Sequence, residues 1–128
     1  MNLDSLRDYC LGKPGVTEET PFDAVTLVYK VGGKIFALTG LNDNPLEVNL
    51  KCDPERAVEL REQHAAVRPG YHMNKVHWNT VVADGTLRDS LLREWIDQSY
   101  DLVVRSLPKA ARAQLNEDQN LTQSGQIS

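Results

Sequence analysis

The residues best suited to chemistry crowd into one stretch, Arg68-Pro-Gly-Tyr-His-Met-Asn-Lys-Val-His-Trp-Asn-Thr-Val81. It holds two histidines, two asparagines, an arginine, a lysine, a tyrosine and a tryptophan, with no acidic residue among them. A metal site would draw on His72 and His77, with His64 or Cys52. The spacing matches no zinc finger or helical metal pair, and no carboxylate lies nearby to complete a shell. No metal and no cofactor are therefore expected. Catalysis would use His72 or His77 as a general base, partnered by Tyr71, Lys51 or Lys75. No nucleophile-elbow, phosphate-loop or dinucleotide spacing accompanies them, and Gly32-Gly33 reads as a hairpin turn instead of a phosphate cradle. A histidine among polar residues becomes catalytic only through geometry, so a non-enzymatic protein is the expectation.

Nucleic-acid binding is the third chemistry. Lys30 and Lys34 at one hairpin, and Arg68, Lys75 and His77 at the other, would take phosphates, while Asn74, Asn79 or Trp78 would meet base edges or stack. Each has a plainer role. Trp78 in a strand favours the core, where an aromatic buries a large apolar area. Asn74 and Asn79 suit turns, whose backbone their amides can bond.

The elements that must position this stretch follow from spacing. Pro69-Gly70 breaks regular structure, fixing one backbone angle and freeing the next. Val76 to Val82 then reads as a strand. Upstream, Asn2 caps a helix with Leu3, Leu6, Tyr9 and Cys10 on one face, stopped by Gly12 and Pro14-Gly15. Val16 to Asp23 reads as a polar link in which Phe22 anchors into the core. Ala24–Val31 and Lys34–Thr39 form a hairpin about Gly32-Gly33. Leu41 to Pro45 turns into a third strand, Leu46–Cys52, with Glu47, Asn49 and Lys51 on a wet or site-lining face and Leu46, Val48, Leu50 and Cys52 on the core face. Asp53-Pro54 starts a helix running to about His64, with Ala57, Val58, Leu60 and Arg61 facing inward. Asp84-Gly85 is a turn. Thr86 to Leu107 carries the longest apolar stripe, interrupted by Ser99 and Tyr100, whose hydroxyls are expected to bond into the Pro69-Gly70 turn. Pro108 ends it, and 109–115 adds a short helix. The order gives an α+β fold, a mostly antiparallel sheet with helices covering one face.

Composition narrows the class. With 128 residues, 41% apolar and 25% charged, the chain suits one soluble domain over residues 1–115 and a disordered polar tail over 116–128. No run reaches the ~18 apolar residues of a membrane span, and the N-terminus lacks the pattern of a signal peptide. Cys10 and Cys52 form no Cys-x-x-Cys pair and suit a reducing compartment, so a cytoplasmic protein with no membrane partner is expected. The net charge of −4 opposes general attraction to nucleic acid. Yet aspartate and glutamate are absent from residues 24–42, 63–83 and 102–116, which hold Lys30, Lys34, Arg68, Lys75, Arg105, Lys109, Arg112 and all three histidines. Either these windows converge on a basic face, or they are buried strands without room for carboxylates.

The Arg68–Val81 stretch resembles the signature segment of the MmcQ/YjbR family of small bacterial proteins. The resemblance extends over nearly the whole chain to about Leu115. It takes in Leu-Arg-Asp-Tyr-Cys10, Lys13-Pro14-Gly15, Asn49-Leu-Lys51, Asp84-Gly85, Asp97-Gln-Ser-Tyr100 and Leu107-Pro108. It implies a secretion-chaperone-like architecture, a curved antiparallel sheet with an N-terminal, a middle and a long C-terminal helix packed on it. It also implies DNA binding, by analogy of sheet and hairpins to a double-wing transcription factor. It brings no catalytic residues. Lys51, Arg68, Tyr71, His72, Asn74, Lys75, His77 and Trp78 carry over as a motif of unassigned role. Two expectations result: a non-enzymatic module binding DNA through Lys30, Lys34, Arg68, Asn74, Lys75, His77 and Trp78, or a chaperone-like module holding a peptide, or a second copy of itself, on the sheet face.

Overall fold

In a computed structural model, which describes residues 1–70 and 73–115, Gly32 and Gly33 adopt positive φ angles of 59° and 80°. Two such residues match the twist of the flanking strands, so β2 (Thr26–Val31) returns directly as β3 (Lys34–Gly40). Asp43 closes the next turn by accepting from the Gly40 N–H at 3.1 Å, and β4 (Leu46–Lys51) follows. The Asn44–Pro45 peptide in that turn is cis. The Asp53 carboxylate caps α2 (Pro54–Gln63), accepting from the Glu55 N–H at 3.1 Å, with Pro54 at the helix start. Asn2 and Ser5 form a reciprocal capping box on α1 (Leu3–Leu11). These starts and turns are where the sequence places them.

The remaining elements are β1 (Val16–Glu19), β5 (Val67–Pro69), β6 (Trp78–Ala83) and α3 (Asp89–Ser106), with residues 109–115 again helical. The six strands form one sheet in the order β1-β2-β3-β4-β6-β5, antiparallel throughout. Leu27, Tyr29, Val48, Leu50, Val67 and Val81 point from one face into a core completed by Leu6 and Cys10 of α1, Leu60 of α2, and Leu92, Trp95, Ile96 and Val103 of α3. The α+β class holds, and the helices pack on that face. Among the described residues no helix is long and apolar enough to cross a membrane. Residues 116–128, expected to be a disordered tail, lie outside the described residues.

Several local expectations are corrected. Val16–Glu19 is a strand and not a link: Val16 packs on the core, and Glu18 turns inward to take two bonds from Arg7 (2.8 and 3.0 Å) and one from the Tyr29 hydroxyl (2.9 Å). Phe22 does not anchor the core; it is 65% exposed on the far side of the sheet. Arg68-Pro69 is strand, tolerated because β5 is an edge and Pro69 needs no ladder donor there. Val76 lies outside β6 and is 51% exposed, and Val58 is 43% exposed where α2 meets solvent.

The two hydroxyls of α3 do not reach the Pro69-Gly70 turn. Between the pairs Tyr29↔Ala37 and Lys30↔Ile35, β3 holds one extra residue, Phe36. The bulge lets Phe36 and Ala37 both be buried, and the β3–β4 ladder ends at Ala37↔Leu50. Phe36 and Lys51 are then left without a rung. The Ser99 hydroxyl supplies it, donating to the Phe36 carbonyl (2.6 Å) and accepting from the Lys51 N–H (2.9 Å). Tyr100 stacks edge-on against Phe36, with ring centres 5.4 Å apart, and donates to the Pro14 carbonyl at 2.6 Å.

Replacing Ser99 with alanine leaves two main-chain groups unmatched at little change in volume. Ser99→Ala is expected to lower the unfolding free energy by about 2–3 kcal/mol in urea titration. Glu18 is held below the usual carboxylate range chiefly by the Arg7 hydrogen bond, against an opposing push from burial. A depressed carboxyl stabilises the fold fully above its unfolded value, and the gain is lost as pH falls through the folded one. Glu18→Gln is therefore expected to lower the thermal midpoint at neutral pH and to flatten its decline below about pH 4, read by calorimetry across pH.

Candidate functional site: the open face of the sheet

Strand register draws one row across all six strands: Glu19, Val28, Leu38, Asn49, Thr80 and Arg68 are successive direct partners. Directly opposed residues share a face, and this row alternates with the core-facing residues. It lies on the side away from the helices. Its middle is buried: Leu38 is 8% exposed, Asn49 4% and Thr80 7%. The Thr80 hydroxyl donates to Asn49 Oδ1 at 2.6 Å, and the Asn49 amide reaches the Leu38 carbonyl at 3.4 Å. The polar centre is thereby held in fixed orientation.

Two loops rise over this floor and enclose a cavity of about 580 Å³. Phe22 and Asp23 come from the β1–β2 loop; Pro69 and Met73 come from the end of β5 and the loop after it. Gly70 makes the second wall possible, because a Cβ there would sit 2.7–2.9 Å from the Trp78 main chain and Cβ. Asn74 then shapes the loop, accepting from the Val76 N–H with its side chain (2.9 Å) and from the Trp78 N–H with its carbonyl (2.8 Å). A second cavity, about 740 Å³, adjoins the first and shares Asp43, Glu47 and Arg68 with it. It extends past Pro45, His64 and Ala66 to Asp84 and Leu87.

The groove's electrostatics are acidic. Arg68 is ion-paired with Glu47, and the other charged carboxyls of the two cavities are Asp23, Asp43 and Asp84. The Val25 N–H, followed by the Thr26 hydroxyl, holds Asp23 below the ordinary carboxylate range. The Thr86 side chain and main chain do the same for Asp84. Both stay ionised at neutral pH.

The residues singled out from sequence divide. Lys30 reaches Glu19 at 3.4 Å, and the Lys34 ammonium lies 3.4 Å from both the Ser106 carbonyl and its hydroxyl. Lys51 is half-buried at the end of β4. Asn74, Lys75 and His77 are exposed, and neither Lys75 nor His77 has an ion-pair partner among the described residues. Trp78 is only 7% exposed, so its indole is unavailable as a stacking platform. Asn79 faces the helices, accepting from Arg61 at 2.9 Å and donating to the Ala57 carbonyl at 3.3 Å. Tyr71 and His72 lie outside the described residues. Because β3 begins at Lys34, β4 ends at Lys51 and β6 begins at Trp78, the Gly32-Gly33 turn and the 73–77 loop share one end of the sheet. Lys34 and Ser106 bring the 102–116 window to that end too. Lys30, Lys34, Lys75 and His77 of the acid-free windows thus gather at one end, while Arg68 and His64 of the same windows line the cavities with the carboxylates.

Sequence reasoning missed Leu38, Thr80, Asp43 and Met73 as lining residues. Its one usable signal was the Glu47, Asn49, Lys51 alternation, which marks the open face. No cysteine lines the first cavity, and Cys10 is fully buried with its thiol pushed up to about 12, chiefly by that burial. No group of three or more His, Cys, Asp or Glu is placed to hold a metal among the described residues. The surface offers hydrogen-bond partners, carboxylate charge and apolar contact.

Comparison with known proteins fits this architecture. The YjbR sequence profile matches residues 11–102. The chain is 40% identical to YjbR of Escherichia coli K12 over 112 residues, covering 88% of this chain and 95% of that one. It is 39% identical over 89 residues to YbdF of Escherichia coli O157:H7, covering 70% and 73% of the two chains. The crystal structure of Deinococcus radiodurans protein DR2400 superposes with a TM-score of 0.85 at 45% identity, covering 90% of this chain and 88% of that one. A Pseudomonas syringae protein superposes with a TM-score of 0.69 at 28% identity, covering 80% and 98%. The chain belongs to the YjbR family.

Proposed function

We propose that the protein is a non-enzymatic binding module that holds a segment of another protein against the open face of its sheet. The observation that carries this reading is the cavity itself, a fixed polar floor walled by two loops, with the solvent-exposed ring of Phe22 on its rim. Such a mixture of apolar rim and oriented polar centre suits a polypeptide. Nucleic acid fits this face poorly, since Arg68 is already paired and carboxylates outnumber cations there.

A second reading, DNA binding, rests on a different place. Lys75 and His77 are exposed on a loop at the same sheet end as Lys30 and Lys34, and a duplex gripped there would meet two projecting turns. Buried Trp78 takes no part in it.

Two titrations followed by amide NMR separate the readings, one with a pool of random decapeptides and one with a random 20-base-pair duplex. The expected outcome is that peptides shift Phe22, Leu38, Asn49 and Thr80, with affinity changing little between 50 and 300 mM salt. Phe22→Ser should weaken this about 10-fold, the loss of one well-buried apolar contact. Shifts confined to residues 30–34 and 73–77 on adding duplex, steeply lost with salt and abolished by Lys75→Glu, would install the DNA reading instead.

A further inference from the structure

The open face has an uneven balance of charge that narrows its occupant. Floor and rim supply apolar contact through Leu38, Pro69, Met73 and Phe22. The rest of the groove is lined by the carboxyls of Asp23, Asp43, Glu47 and Asp84 against the single guanidinium of Arg68. Arg68 already has Glu47, so the net field over the shared part of the two cavities is that of Asp43 with Asp23 and Asp84 on either side. An anionic ligand would have to take Arg68 from Glu47 and sit among the remaining carboxylates, gaining one contact and meeting several like charges. A cation meets no such obstacle, because the shared part has two acidic residues to one basic, and the two cavities together have four to one.

The main-chain bonds to these carboxylates matter for this choice. Asp23, Asp43 and Asp84 each accept from a neighbouring N–H, of Val25, Gly40 and Thr86 respectively. Their positions are set before any partner arrives, so little ordering is needed when a cation approaches. Lysine and arginine have apolar stems that can lie along Leu38 and Met73 while the charged head reaches Asp43, where the two cavities meet.

Resting on the open-face reading above, we propose that the groove is selective for a protein segment with a lysine or arginine beside an apolar residue. The apolar side chain rests between Phe22 and Met73 over Leu38. The cation is held where the two cavities meet, near Asp43. This partner is the electrostatic opposite of nucleic acid. The net charge of −4, unfavourable for a DNA-binding protein, favours encounter with it.

Fluorescence anisotropy with three labelled decapeptides tests this. All share a leucine in a glycine-serine background, and the next residue is arginine, its neutral isostere citrulline, or glutamate. The arginine peptide is expected to bind about 10-fold more tightly than the citrulline peptide at 50 mM salt, a gap that closes at 500 mM. The double variant Asp43→Asn, Asp84→Asn should erase that gap. Asparagine can still accept at both main-chain positions, so the fold is kept. Phe22→Ser, at an exposed position, should weaken the arginine and citrulline peptides equally. Equal binding of arginine and citrulline peptides, both lost with Phe22→Ser, would overturn the charge selectivity while leaving the open-face reading intact. Binding of any peptide that ignores Phe22→Ser, or no binding at all, would overturn both. Tightest binding of the glutamate peptide would reverse the sign of the proposal.

Discussion

The hydroxyl of Ser99 is the contact on which this fold's geometry turns. The extra residue Phe36 breaks the ladder between β3 and β4, and a buried carbonyl and a partly buried N–H would otherwise lack partners. One side chain from α3 meets both, 2.6 Å from one and 2.9 Å from the other. That fixes the long helix across the middle of the sheet, where Tyr100 packs on Phe36 and bonds to Pro14. The first helix is drawn in by the same element: the Tyr9 hydroxyl donates to Asp97 at 2.6 Å, and Lys13 pairs with the same carboxylate beneath the rings of Tyr9 and Tyr100. Bulge, hydroxyl and helix thus gather the helices' apolar groups on a single face.

The opposite face follows from that commitment. With the helices packed on one side, the row from Glu19 to Arg68 is left for solvent and the two loops to cover. A row of mixed character is costly to bury against a helix, since each polar member needs a partner. Here Asn49 and Thr80 satisfy each other within the sheet. The arrangement is stable without a helix over it, which leaves room for a partner. It also separates the charges: acid lies on the open face, while the exposed Lys75 and His77 lie at the sheet end.

Much of this was legible in the chain because it is local. Asn2, Asp53-Pro54 and Gly32-Gly33 act on residues within one turn of themselves, so spacing alone places α1, α2 and the first hairpin. The alternation in β4 marked the polar face. What escaped was non-local or short. The partners of Ser99 lie 63 and 48 residues away, and no spacing rule connects a helix serine to a bulge in another element. β1 has only four residues, too few for a period to register, and Glu18 within it points inward because Arg7 and Tyr29 meet it there. Phe22 was misjudged because a large ring normally signals the core. Here the loop that carries it lies over the far face.

The motif from Arg68 to Val81 divides along the same line. Gly70, Trp78 and Asn79 are buried and serve the sheet: the glycine lets the chain pass within contact of Trp78, and Asn79 ties β6 to α2. Asn74 spends its side chain on the turn. Arg68 and Met73 face the groove, and Lys75, Val76 and His77 face solvent. A dense run of polar residues invites a reading as an active site. Most of its chemistry is instead used to raise one wall of a groove to the right height. The groove's character is then set by residues far from the motif in sequence: Leu38, Asp43, Asn49 and Phe22. A binding surface assembled from five strands and three loops leaves no compact signature in any one segment, which is why the most conspicuous stretch of the chain builds the site more than it fills it.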